Sequence, residues 1–293
     1  MSSLIQQVIN GLSLGSVYAL IAVGYSLVYS VLLFSNFAHG GFLVIGGYIC
    51  YYSLLKGGAN IWVASLAALL GAGISAMAVE RMAYKPIRER TPITLYMLIA
   101  SMGMSIVIEN IFVVTIGGRF RALPPVIPMQ TVNVFGVAST SASDLLSLVT
   151  AVVFLVGLQL FLSKTKWGLA IRAASYSLRT AGLMGVNVNL LISLVFFVAG
   201  LLAAIGGIFL SARYSLYPQL GVITTKAFVA AVIGGLGSLP GAVVGSLILG
   251  LAEMLAAGFL SSQFRDLIVF GLLIITLIVR PTGLFGKSVG EKV

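Results

Sequence analysis

Lys164-Thr165-Lys166-Trp167-Gly168-Leu169-Ala170-Ile171-Arg172-Ala173-Ala174-Ser175-Tyr176-Ser177-Leu178-Arg179-Thr180-Ala181-Gly182-Leu183-Met184-Gly185-Val186-Asn187 is a polar island in an apolar chain. It carries four cations and no acid, and apolar runs stand on either side of it, at residues 143–163 and 189–211. A helix needs about twenty apolar residues to cross a bilayer. The island therefore reads as a surface segment between two membrane spans. Its own pattern is ordered: Leu169, Ile171, Leu178 and Leu183, with small residues between, predict a short amphipathic helix followed by a glycine turn. A segment that only had to cross the aqueous side needs no such pattern, whereas a segment gripped by a partner does.

Working outward, the composition agrees. Of 293 residues, 59% are hydrophobic and 8% charged, and the mean hydropathy is +1.12, outside the range of soluble domains. The formal net charge of +10 comes from cations placed between apolar runs. They do not cluster on one soluble face, which speaks against nucleic acid and for membrane orientation. Cys50, the only cysteine, lies in an apolar run, so intrachain disulfides and cysteine-rich metal sites are excluded and packing is its expected role. No basic stretch precedes the first apolar run, and no removable signal peptide is expected.

Further apolar segments at 8–33, 38–55, 61–79, 92–116, 227–237, 241–261 and 265–280 complete the set. The expected fold is all-α: one polytopic transmembrane domain over 1–293, with eight or nine crossings and broken or re-entrant segments. The breaks fall at Ser35-Asn36-Phe37-Ala38-His39-Gly40-Gly41 and at Gly234–Gly241, where the preceding segment is short enough to be re-entrant. Non-helical backbone at membrane depth survives only where protein or a water-filled cavity covers it, so both breaks are candidate pathway linings. Arg81, Lys85, Arg88, Arg90, Lys164, Lys166, Arg172, Arg179, Arg280, Lys287 and Lys292 fall to one side, which the positive-inside bias places in the cytoplasm. Lys56, Arg119, Arg121, Arg213, Lys226 and Arg265 fall to the other, with the Pro-containing loop from Gly117 to Ser141 outside. Nine crossings put the amino terminus outside and eight put it inside. The segment from Glu80 to Arg90 reads as a solvated orientation signal, with partner contact as the second reading. Gly11/Gly15 and Gly241/Gly245 have the spacing that lets helices approach closely, within one chain or between two.

Enzymatic chemistry finds little support. Gly286-Lys287-Ser288 is similar to the end of a phosphate-binding loop, but the required first glycine falls at Pro281 and only five residues follow. His39 is the single histidine, which excludes a histidine-paired metal centre. Glu109 and Glu253 are the acids inside spans. Such groups cost roughly 2.5–3.5 kcal/mol on insertion scales and face protein interiors, as pathway groups or as ties between helices. Glu253, Asn36 and His39 fit either role.

Several separated blocks occur in a familiar order: Gly11–Gly24, Asn36-Phe37-Ala38-His39-Gly40, Glu80-Arg81-Met82-Ala83-Tyr84-Lys85-Pro86, Ala227–Gly241 and Arg280-Pro281-Thr282-Gly283. Over nearly its whole length the chain resembles the permease subunits of ABC importers for branched-chain amino acids, in particular the shorter permease of the pair. The resemblance implies a transport subunit of the cytoplasmic (inner) membrane of a bacterium or archaeon. It implies as partners a second homologous permease, two ATPase subunits that hold ATP and Mg, and an extracytoplasmic binding protein, with no cofactor in this chain. It makes residues 164–187 the segment that couples to the ATPase, with Arg172, Ala173, Ala174, Leu178, Arg179, Ala181, Gly182 and Gly185 as its contact residues. Ser175-Tyr176-Ser177 departs from the family's more acidic pattern there. Asn36, His39, Gly40, Glu109 and Glu253 are the pathway candidates. Urea, short amides or other amino acids are alternative solutes. A self-contained, ion-coupled secondary transporter is the rival of another class, favoured by the two breaks but leaving the island without a role.

Overall fold

The computed structural model describes residues 2–91, 93–124, 131–134 and 138–286; Lys287, Lys292 and most of the Gly286-Lys287-Ser288 tract lie outside them. In chain order the helices are α1 (Ser2–Leu32), α2 (His39–Leu55), α3 (Ile61–Val79), a π-turn (Glu80–Tyr84), α4 (Lys85–Arg90) and α5 (Thr94–Ile116). A hairpin of β1 (Thr131–Val134) and β2 (Ala138–Ser141) follows, paired antiparallel with Thr131 opposite Ser141. Then come α6 (Ala142–Lys164), α7 (Lys166–Tyr176), α8 (Leu178–Leu183), α9 (Val188–Tyr214), a 3-10 turn (Pro218–Ile223), α10 (Thr224–Gly234), α11 (Leu239–Phe259), a second 3-10 turn (Ser262–Phe264) and α12 (Arg265–Val279). Seven of these stretches are long and apolar enough to cross a membrane, and His39–Leu55 and Pro218–Gly234 are shorter apolar passages.

A helix that is apolar all round belongs in the interior. α1 obeys this: from Leu14 to Val28 nearly every side chain is buried. α11, α9, α6 and α10 surround it. Between helices in lipid, close packing and hydrogen bonds replace the hydrophobic drive. At the α1–α11 seam a Cβ on Gly11 would stand 2.9 Å from the Leu251 Cα, and one on Gly250 would stand 2.5 Å from the Gly15 Cα. The glycine pairs of the sequence therefore serve contacts within the chain: Gly11 and Gly15 meet α11, and Gly241 and Gly245 meet α10. α3 shows the complementary pattern. Ala64, Ala68, Ala72 and Ala76 are buried, while Trp62, Leu66, Leu70 and Ile74, half a turn away, are exposed. α12 buries only Val269.

The two ends of the bundle follow from the contacts. Gln7 packs against Gly258, and Arg213 pairs with Asp144 at 2.9 Å, so the start of α1, the end of α11, the start of α6 and the end of α9 share one end. Gly237 lies beside Tyr29 and Ser30, and Leu284 N donates to the Ile233 carbonyl at 2.9 Å, which gathers the other ends at the opposite face. Counting the two shorter passages with the seven long ones gives nine. The first helix thus begins at the end opposite the nine described cations of the larger group. Residues 218–234 form a passage broken into a 3-10 turn and α10 and do not fold back to the side they enter.

Three expectations are corrected. The island is two helices, because Ser177 is extended (φ −163°, ψ 112°) and its hydroxyl accepts from Thr180 N at 3.2 Å, capping α8. Gly182 sits inside α8, and the turn is made by Gly185 at φ 88°. The Glu80–Arg90 segment is helical and folded onto α9: Glu80 is fully buried, accepting from Arg88 at 3.0 Å and from Ser193 Oγ at 2.8 Å, and Arg81 reaches the same serine at 3.3 Å. The loop after Gly117 carries the β-hairpin, a departure from an all-helical chain.

Candidate translocation site and partner-facing segment

The first break, between α1 and α2, is held by its own polar side chains. Asn36 Oδ1 accepts from Ala38 N at 3.2 Å and from the Tyr84 hydroxyl at 2.8 Å. Phe37 N donates to Ser101 Oγ at 3.1 Å, and that hydroxyl donates to the Leu98 carbonyl at 2.7 Å. The Phe37 N–H freed by the break thus finds a partner on α5, and the Asn36 side chain finds one on the π-turn. His39, at the head of α2, is fully buried, 4.6 Å from the Tyr25 ring and edge-on to Phe42. Gly24 makes room for it, since a Cβ there would lie 2.7 Å from the imidazole. Among the described residues the Asn36 amide nitrogen has no hydrogen-bond partner, and the His39 imidazole lies against the Ile21 backbone.

The expectation that Gly234–Gly241 also lines the pathway is corrected: that stretch lies at the far face, its Gly237 beside Tyr29 and Ser30, and it is the 3-10 turn Pro218–Ile223 that meets the first break, through two glycines. A Cβ on Gly40 would lie 2.6 Å from the Gly221 carbonyl, and one on Gly221 would lie 2.9 Å from the Gly40 carbonyl, so the 3-10 turn and α2 touch backbone to backbone. Thr224 opens α10 there, its hydroxyl donating to the Gly221 carbonyl at 2.6 Å and sharing a 3.3 Å hydrogen bond with Tyr25. α5 touches this junction through Ile108, against Gly41, and leaves space beside that contact. The result is a cavity of about 230 Å³, lined by Tyr25, Phe37, Gly40, Ile108, Glu109 and Thr224 among others. It opens past Met102, Ile106 and Val222, all three exposed.

Four of the five residues singled out from the sequence gather here: Gly40 and Glu109 in the lining, Asn36 and His39 buried beside it. The fifth stands elsewhere. Glu253, on α11, is 1% exposed, accepts from the Tyr18 hydroxyl at 3.0 Å and pairs with Lys226 at 2.8 Å. Lys226 also pairs with Asp266 at 2.8 Å, tying α10, α11 and α12 together. The sequence reading passed over Tyr25, Ser101, Ser105, Thr224 and Thr225; hydroxyls clustered beside glycine in apolar runs are the signal that marks them.

At the basic end, α7 and α8 lie against the bundle through Gly168, Ile171, Ala174 and Ala181, all buried. Thr165 caps α7, its hydroxyl accepting from Gly168 N at 3.0 Å, and Asn187 caps α9. Arg172, Ala173, Arg179, Gly182 and Gly185 face outward, and Leu178 is half-buried. Leu183 and Met184 are each 81% exposed and Tyr176 79%. Apolar side chains beside two arginines, outside the bundle's long apolar faces, make a surface suited to a protein partner.

The family described as the permease component of branched-chain amino acid transport systems matches residues 7–277. The chain belongs to this family. It is a membrane-spanning permease component. It is 39% identical to the high-affinity branched-chain amino acid transport system permease protein BraD of Pseudomonas aeruginosa, over 99% of this chain and 98% of that protein. LivH of Escherichia coli, of the same description, is also 39% identical, over 99% and 97%. A probable branched-chain amino acid transport permease protein, LivH of Methanocaldococcus jannaschii, is 28% identical over 91% and 88%. Among solved structures, PsaBC from Streptococcus pneumoniae in complex with Fab shares the fold, with a TM-score of 0.51 and 13% identity over 96% of this permease and 93% of that chain.

Proposed function

We propose that this permease is one of the two membrane-spanning subunits of an ATP-driven importer that carries leucine, isoleucine and valine across the cytoplasmic membrane of a bacterium or archaeon. The observation that carries the reading is the half-open, largely apolar cavity where two broken passages meet. It supports solute passage at mid-depth, where polar backbone at a break serves the charged ends of an amino acid. This chain holds no nucleotide; ATP and Mg belong to two ATPase subunits, a second homologous permease completes the membrane part, and a binding protein delivers the solute from outside. In this reading α7 and α8 are the lever, with Arg172, Ala173, Ala174, Leu178, Arg179, Ala181, Gly182 and Gly185 at or behind the ATPase contact. Closure of the ATPases shifts a packed pair of short helices, as interface helices transmit other switches. The exposed Leu183, Met184 and Tyr176 support this.

The test is uptake by the assembled complex in proteoliposomes. ATP-dependent accumulation of labelled leucine, with urea and short amides excluded, is the expected result. Uptake by this chain alone, driven by an ion gradient, would overturn it in favour of a secondary transporter.

A further inference from the structure

Six of the seven acidic residues are described, and five of them have partners. Glu80 is held by Arg88 and Ser193, Glu89 by Lys85 and Asn189, Asp144 by Arg213, and Glu253 and Asp266 share Lys226. Glu109 has neither a cation nor a hydrogen-bond donor among the described residues. It is half-buried, within a membrane span, and is the only charged group in the lining of the cavity. A carboxylate at membrane depth needs a counter-charge or water. The cavity is the space that its face of α5 lines.

Its setting narrows what the counter-charge is. Met102, Ser105, Ile106 and Glu109 recur at helical spacing and turn one face of α5 into the cavity. One turn below the carboxylate, Ser105 offers a hydroxyl, and Thr225 offers another from α10. Val44, Ile108 and Val222 supply apolar surface. One anion, two hydroxyls and an apolar wall complement a small solute with one cationic end, one anionic end and an aliphatic body.

We infer that Glu109 is the specificity-determining residue of the cavity: its carboxylate receives the ammonium group of the amino acid in transit, with Ser105 and Thr225 at the solute's carboxylate. The assignment rests on the transport reading and deepens it. It sets α-amino acids apart from urea and amides, which bring no cation to Glu109.

The experiment uses the complete complex in proteoliposomes with labelled leucine. Absence of ATP-driven uptake by the wild type defeats the transport reading itself, and this assignment with it. Given uptake, E109Q is expected to slow it at least about tenfold, as loss of one partner of a desolvated charge pair does, while E109D stays within about threefold of wild type. Uptake by E109Q at the wild-type rate overturns the assignment. A second measurement keeps the native side chain: a membrane-permeant carbodiimide is applied to the wild-type complex, and modification of Glu109 is read by peptide mass spectrometry. Leucine with ATP is expected to lower labelling several-fold. Should E109Q fail to assemble, labelling decides: protection sustains the assignment, and equal labelling with and without leucine overturns it.

Discussion

Lys226→Met removes the cation that lies 2.8 Å from both Glu253 and Asp266, and the two carboxylates respond differently. Asp266 is 71% exposed and regains solvation, so its loss of a partner costs little. Glu253 is 1% exposed and keeps only the Tyr18 hydroxyl, at 3.0 Å. Breaking a buried pair from one side costs about 3–5 kcal/mol, and the remaining hydrogen bond puts this case near the lower figure. At about 2–4 °C per kcal/mol for a chain of this order, the apparent melting temperature in detergent falls by about 6–12 °C. Glu253→Gln behaves otherwise, because the neutral amide still accepts from Tyr18 and Lys226 keeps Asp266; about 1 kcal/mol is lost and the protein still assembles. The double variant Lys226→Met, Glu253→Leu removes both charges but leaves the buried Tyr18 hydroxyl without its acceptor, so it melts between the single variant and wild type. Light-scattering melts on the purified permease check all three. A Lys226→Met variant within about 2 °C of wild type, or a double variant no better than the single, refutes the reasoning.

Three further outcomes follow from the geometry. Gly182→Trp inserts a large side chain on the exposed side of α8, where only Val188 comes within 4 Å, at 3.5 Å; the protein should insert at wild-type levels on immunoblots of membranes while ATP-driven uptake is abolished, and Leu178→Asp should do the same with some loss of packing. Gly250→Val drives a Cβ to 2.5 Å from the α1 backbone and should lower the melting temperature by several degrees, whereas Gly103→Val, with open space around it, should stay close to wild type in the same melts. Tyr84→Phe removes one of two donors to the buried Asn36 Oδ1 and should cost about 1–2 kcal/mol in denaturant titration, with Tyr84→Ala costing more.

The nine passages were legible because a membrane span is written in consecutive residues: the length of an apolar run and the Gly, Ser, Asn and Pro that interrupt it. The first break was legible for the same reason, Asn36 and His39 standing out of an apolar run; Gly234–Gly241 punctuates another run but lies away from the cavity, and the 3-10 turn Pro218–Ile223 that completes the junction stands between two apolar runs and interrupts neither. Pairings set across the chain were not. Glu80 looks like one charge in a charged segment until Ser193, from a different helix, is placed 2.8 Å away. The split at Ser177 was available as a capping signal but competed with an amphipathic pattern that runs through it. Here the hydroxyl won, because its bond to Thr180 N satisfies an orphan donor that a continuous helix would also have satisfied, while the extended residue lets Ala174 and Ala181 both turn inward.

The cavity was invisible in sequence because it depends on what glycine meets. At Gly11, Gly15, Gly245 and Gly250 the absent side chain is answered by backbone of the neighbouring helix, and the helices close with no space left. At Gly40 and Gly221 the same closing occurs between two broken segments, but α5, which carries the full-sized Ile108 opposite Gly41, is held off from them. A Cβ on Gly41 would lie 2.8 Å from Ile108 Cδ1, so that pair is already in contact, and α5 cannot advance to fill the space beside it. Small residues on one side and a β-branched one on the other therefore act as a spacer, and the volume they prop open is lined by Glu109, Ser105 and Thr225. The same residue type that seals the bundle along α1 thus leaves it open where the first break meets the 3-10 turn.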